Sequence, residues 1–143
     1  MTSSKLRIGD SAPDFFLTTT TGVEVGLAAC LLEGPVLLDF IRGTWDPDSR
    51  KRLKLLSGER DRFREARARA FIITCEHPGT AARYLEEEPS TVPVLVDYER
   101  RVTRSYGVLQ RWSLPVWNIA RPSSFVVDRC GFVRFVYVAP LPK

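Results

Sequence analysis

The chain has a single histidine, His77, and only three cysteines, the widely spaced Cys30, Cys75 and Cys130. No C-x-x-C occurs, and one histidine cannot build a Cys–His–His metal cluster, so the sequence calls for no metal and no cofactor. An odd thiol count without a secretion leader argues against a disulfide framework. Long apolar runs are missing too: the stretches around 36–41 and 71–75 fall far short of the ~18 residues a membrane span needs. The opening Met-Thr-Ser-Ser-Lys-Leu-Arg-Ile-Gly-Asp carries no apolar signal core. Repeats, linkers and low-complexity tracts are absent. The expectation is a soluble, cytoplasmic protein without membrane attachment.

What is present fits one globular domain, residues 1–143. Of those 143 residues 44% are hydrophobic and 27% charged, ordinary values that set aside disorder and collagen-like repeats. Such a length buries enough surface to stand without a disulfide or metal staple. The net charge is +4, from 21 Lys and Arg against 17 Asp and Glu. The excess comes largely from one stretch, 42–69, in which arginines alternate with Asp46, Asp48, Glu59, Asp61 and Glu65. Interleaved signs mark a solvated helix face rather than a nucleic-acid footprint. No aromatic RNA-binding signature accompanies it.

Periodicity and punctuation give the order of elements. Phe15 to Thr19, then Thr21-Gly22, then Val23 to Gly26 reads as a β-hairpin. The mostly apolar run 36–41 reads as a strand covered on both faces. A helix begins at Asp46-Pro47, since Asp is a preferred N-cap and Pro is favoured at the first helical position. Leu53, Leu56, Phe63 and Ala66 keep its apolar spacing, and Ser57-Gly58 is the place for a kink or split. A second buried strand is expected at 69–75, a helix at 80–88, a short strand at 94–96 and a short helix at 97–106. After an irregular segment, strands 124–128 and 132–138 flank the turn Arg129-Cys130-Gly131. This β-β-β-α-β-α-β-α-β-β order implies a central mixed sheet with helices on both faces. Its working end lies at the carboxyl ends of the parallel strands. That edge gathers 42–49, 75–79 and 121–123, and leaves Cys130 in a distal turn.

Four segments carry a family resemblance. Gly9-Asp-Ser-Ala-Pro-Asp-Phe15, Asp39-Phe-Ile-Arg-Gly-Thr-Trp45, Tyr106-Gly-Val108 and Pro122-Ser-Ser-Phe-Val-Val-Asp-Arg-Cys-Gly131 resemble, in order, segments of peroxiredoxins and related redoxins of the alkyl hydroperoxide reductase/thiol-specific antioxidant group. The resemblance implies an α/β, thioredoxin-like three-layer sandwich with an N-terminal β-hairpin. It also implies thiol-dependent peroxidase or thiol-disulfide oxidoreductase activity. Peroxide, a thiol or disulfide protein and a second copy of the chain are the implied partners.

One departure decides the chemistry. Where similar redoxins read Trp-Cys-Pro-x-Cys-Arg, this chain reads Trp45-Asp46-Pro47-Asp48-Ser49-Arg50. A cysteine at a helix N-terminus is activated because free N–H groups and the helix dipole favour its thiolate. A carboxylate in that place is a poor nucleophile toward peroxide oxygen and cannot cycle through a disulfide. Thr44 stands one position out of register with the family threonine. Either Arg42 or Arg121 stands for the arginine that would polarise a peroxide.

The remaining candidates follow. Cys75 is the thiol on the working edge: a relocated peroxidatic or redox-sensing cysteine, or a small buried hydrophobe. Cys30 belongs to the core. Asp39 resembles the buried strand aspartate of thioredoxins, and Pro122 stands where such proteins hold a cis-proline facing the active site. Thr44 and Ser49 serve as local caps or as ligand donors. Trp45, Trp112 and Trp117 line a substrate groove, as a binding platform or as a plug. Three functional classes result: a redoxin with its usual dithiol chemistry lost, an enzyme working through Cys75 with an external thiol, and a non-catalytic module that binds through the inherited groove.

Overall fold

The computed structural model describes residues 5–113 and 116–140, and the side chains of 111–113 and 116–118 lie outside the description. The chain opens with the expected hairpin, β1 (Phe16–Thr19) and β2 (Glu24–Gly26), closed through Gly22 at φ +86. There follow α1 (Leu27–Leu31), β3 (Val36–Phe40), α2 (Pro47–Gly58), α3 (Arg60–Glu65) and β4 (Arg69–Thr74). Then come α4 (Pro78–Glu87), β5 (Val94–Val96), α5 (Arg101–Ser105), β6 (Leu109–Ser113), β7 (Val116–Ala120), β8 (Ser123–Val127) and β9 (Val133–Val138).

Seven strands form one sheet in the order β2-β1-β5-β4-β3-β8-β9, and β6 pairs only with β7. The β3–β4 and β4–β5 pairs are parallel, and β3–β8 and β8–β9 antiparallel. Alternation along the strands sends successive side chains to opposite faces. Val36, Leu38 and Phe40 of β3 and Phe71, Ile73 and Cys75 at β4 enter the core under α1 and α5. Ile41, Ala70 and Ile72 enter the core under α2 and α4, with Leu53, Leu56 and Val94. Phe40, Tyr106 and Phe125 meet ring to ring, with centroids 5.3–5.7 Å apart. Each such buried aromatic contributes on the order of 1.5–3 kcal/mol.

Four expectations need correction. The segment between Tyr106 and Pro122, read as irregular, holds the β6–β7 hairpin, whose β-forming residues are broken up in the sequence by Arg111, Pro115 and Asn118. The short helix α1 follows β2 without a break; Leu27, Cys30 and Leu31 supply its buried face. The helix expected at 97–106 starts only at Arg101, because the Asp97 carboxylate accepts from Val102 N, Thr103 N and Thr103 Oγ1 and ties 97–100 into a turn. The split expected at Ser57-Gly58 falls at Glu59.

Candidate functional site

The N-terminus of α2 points into a groove of about 350 Å³. Asp46 is its N-cap: Oδ2 accepts from Ser49 N at 3.0 Å and from Ser49 Oγ at 2.8 Å. Pro47 is the first helical residue. Asp46 and Ser49 are both buried, at 8% and 4% exposure. Ser49 Oγ accepts in turn from Arg42 N at 3.2 Å. The two positions where similar redoxins carry cysteines are therefore bonded to each other as a closed helix cap.

Asp39 forms part of the groove's lining with Arg52 and Ser124. Its carboxylate takes the Arg52 Nε–H on one oxygen and Ser124 Oγ, at 3.0 Å, on the other. Burial pushes the Asp39 carboxyl above the usual range, against the pull of the Arg52 charge and of both hydrogen bonds. Pro122 and the aromatic pair Phe135 and Tyr137 complete one wall, the two rings 49% and 54% exposed on the edge strand β9. Asp48 contributes a further carboxylate at the mouth.

Thr44 and Trp45 lie close by in sequence but outside this lining. Thr44 is buried, with its N–H and Oγ1 both donating to the Glu76 carboxylate at 2.8 and 2.7 Å. Glu76 also accepts from Thr74 Oγ1. Trp45 folds back over Gly43, where a Cβ would fall 2.2 Å from its Nε1, and Arg42 lies 5.3 Å from its ring centroid. Arg121 donates from Nε to the Ala139 carbonyl. The two arginines weighed for a peroxide-polarising role are thus engaged elsewhere, and Trp45 does not line the groove. The side chains of Trp112 and Trp117 lie outside the described residues.

Cys75 sits just beyond β4 on the opposite face of the sheet from Asp39. It is 1% exposed, packed into the α1–α5 core, with Sγ 3.2 Å from Thr103 Oγ1. Burial pushes its thiol up, aided by Asp97, against the Thr103 hydrogen bond, the Arg100 charge and the Ala120 backbone. Cys30 is buried too, its thiol raised by burial against the pull of Arg69. Cys130 is exposed in the β8–β9 turn, and none of the three thiols is in a disulfide. Among the described residues no three metal-binding side chains converge.

Sequence reasoning missed Arg52, Ser124, Phe135 and Tyr137 in the groove and Glu76 behind it. Arg52 follows Asp46 by six residues on α2, and Ser124 sits opposite Asp39 in the β3–β8 register. That register was the one signal able to bring them together.

A protein-family model described as the AhpC/TSA family matches residues 8–136. A protein of Mycobacterium tuberculosis named as a peroxiredoxin is 28% identical over 123 residues, which cover 86% of this chain and 79% of that one. Alkyl hydroperoxide reductase E of Mycobacterium bovis is 29% identical over 132 residues, covering 91% and 84%. The crystal structure of the peroxidoxin BcpB from Mycobacterium tuberculosis superposes with a TM-score of 0.85 at 26% identity, over 93% of this chain and 86% of that one.

Proposed function

This chain belongs to the AhpC/TSA family, and from that premise we propose that it is a peroxiredoxin-like redoxin that keeps the family's groove as a recognition surface and no longer runs dithiol chemistry there. The observation that carries this reading is the closed Asp46–Ser49 cap. Asp46 and Ser49 hold each other with two hydrogen bonds at the position from which a thiolate would attack. A capping carboxylate neither attacks peroxide oxygen nor forms a disulfide. Cys75 does not take over: its thiol is buried on the far face of the sheet, where burial favours the unreactive protonated form.

The groove itself remains furnished for binding. Phe135, Tyr137 and Pro122 offer apolar contact beside the polar floor of Asp39, Arg52 and Ser124. The partner class inherited by resemblance is a thiol or disulfide protein that docks without exchange. A second reading, an edge-packed homodimer, is favoured by β9, which ends the seven-stranded sheet with two aromatics exposed, its start at Val133 bonded to Gly9 and Asp10. Three unpaired thiols suit a reducing, cytoplasmic location.

The test is hydrogen-peroxide consumption by the reduced full chain, with mass detection of thiol oxidation and Cys75→Ser as control. The expected result is no turnover and slow oxidation confined to Cys130. Turnover that disappears in Cys75→Ser would overturn the reading.

A further inference from the structure

A second and larger cavity, about 650 Å³, opens on the other half of the same sheet edge. It lies between the β1–β2 hairpin and the turn from β5 into α5, and among the described residues it shares no lining residue with the Asp46 groove. Its outcome is therefore independent of the function proposed for that groove. The volume falls in the range of small-molecule sites, and the carboxyl ends of parallel strands are where open α/β sheets place ligands.

The lining is acidic in a chain whose net charge is +4. Asp14, Glu24, Asp97 and Glu99 face it, with Arg101 as the one cation lining it among the described residues. Arg101 is bound to Glu99 at 2.8 Å, and Asp97 is used up in tying down α5. Among the described residues Asp14 accepts from Ala28 N on one oxygen only. Glu24 makes no ion pair among the described residues. Asp14, ahead of β1, and Glu24, on β2, thus leave unspent negative charge at the space.

Two aromatics stand out at the same place. Phe16 is 67% exposed and Tyr98 53%, large apolar areas to leave in water. Both are held in position. Phe16 lies against Gly26, where a Cβ would come within 2.7 Å of its ring, and Tyr98 meets His77 edge-on at 5.4 Å. The neighbouring Arg100 bonds the Tyr98 carbonyl and lies 5.9 Å from its ring centroid, so a cation already sits beside that ring. The carboxylates do not converge into a metal-binding group. Spread negative charge with fixed aromatic faces suits a cation that carries its own apolar body.

We propose that this cavity is a binding site for a small organic cation, an amine joined to an aromatic or alkyl group. Its ammonium would meet Asp14 and Glu24, and its apolar body would lie against Phe16 and Tyr98.

The experiment is titration of the isotope-labelled full chain with 2-phenylethylamine, followed by backbone amide shifts. The uncharged 2-phenylethanol and the anionic phenylacetate serve as isosteres. The expected result is saturable shifts confined to 14–18, 24–26 and 96–102, weaker binding of the alcohol and none of the acid. Glu24→Gln and Asp14→Asn, both at exposed positions, should each weaken the amine about two- to fivefold. Phe16→Ala should weaken amine and alcohol alike. Equal affinity for amine and alcohol overturns the proposal, as do shifts centred on the Asp46 groove. So does the lack of a saturable shift below about 10 mM, the weak limit for a ligand of this size.

Discussion

Replacing the helix cap with a thiol, Asp46→Cys, turns the N-terminus of α2 into its own reporter. The native carboxylate is 8% exposed and accepts from Ser49 N and Ser49 Oγ. A neutral thiol gives up the cap, about 1 kcal/mol, and leaves the Ser49 hydroxyl short of one partner at roughly the same cost. The variant at low pH should therefore be less stable by about 1–2 kcal/mol. Ionised, the sulfur regains the two donors and the helix dipole. These draw its pKa below the ordinary ~8.5, while Asp48 in the first turn pushes the other way, so a drop of about one to two units is expected. At about 1.4 kcal/mol per unit, that drop returns about 1.4–2.7 kcal/mol. The folded pKa is the depressed one, so the regained stability is complete above the unfolded thiol's pKa and disappears as pH falls through the folded value. Urea unfolding from pH 5 to 9, in a Cys130→Ser background and beside Asp46→Ala, measures it. Alkylation rate against pH gives the new thiol's pKa. If the two variants run parallel at every pH, or the thiol titrates at or above ~8.5, the helix end does not stabilise an anion and the reasoning fails.

Arg52→Met leaves the Asp39 carboxylate, whose side chain is 4% exposed, with only Ser124. Because Arg52 is itself 37% exposed, the loss at pH 7 should be about 1–3 kcal/mol, below that of a fully buried pair. Asp39 is already held above its usual range and rises further without Arg52. The deficit therefore shrinks as pH falls through the variant's raised pKa; equal deficits at pH 7 and 4.5 by urea unfolding would refute the assignment. Gly43→Ala puts a Cβ 2.2 Å from Trp45 Nε1 at a φ of +156. It should cost about 1–3 kcal/mol and red-shift Trp45 emission, read with Trp112 and Trp117 changed to Phe; unchanged emission would count against the packing described. Cys75→Ser places a hydroxyl in an apolar core and should lower stability by about 1–2 kcal/mol while leaving peroxide handling as it was, by thermal melts and the consumption assay.

Local signals carried the reading furthest. Asp46-Pro47 marked its helix start, and Val94–Val96 was bounded to the residue, because caps, prolines and short apolar runs act within a few residues. The hidden parts depend on long-range register. Cys75 ends a strand at the expected edge, yet a shift of one residue in the alternation decides which face it enters, and it enters the α1–α5 core. Arg52 reads as one more arginine on a basic helix until β3 and β8 bring Asp39 and Ser124 beneath it. Glu76, placed beside Cys75 by sequence, instead reaches back to hold Thr44.

The pairing of β3 with β8 also sets an order of events at the ribosome. Asp39 and Ser124 are 85 positions apart in the chain. The first central strand therefore emerges long before its antiparallel neighbour exists. Until β8 is released, β3 has β4 on one side and an open, largely apolar edge on the other, available to any other nascent strand. A fragment ending before Ser123 should accordingly be captured by chaperones or aggregate, whereas release of the β8–β9 hairpin completes the sheet in a single late step.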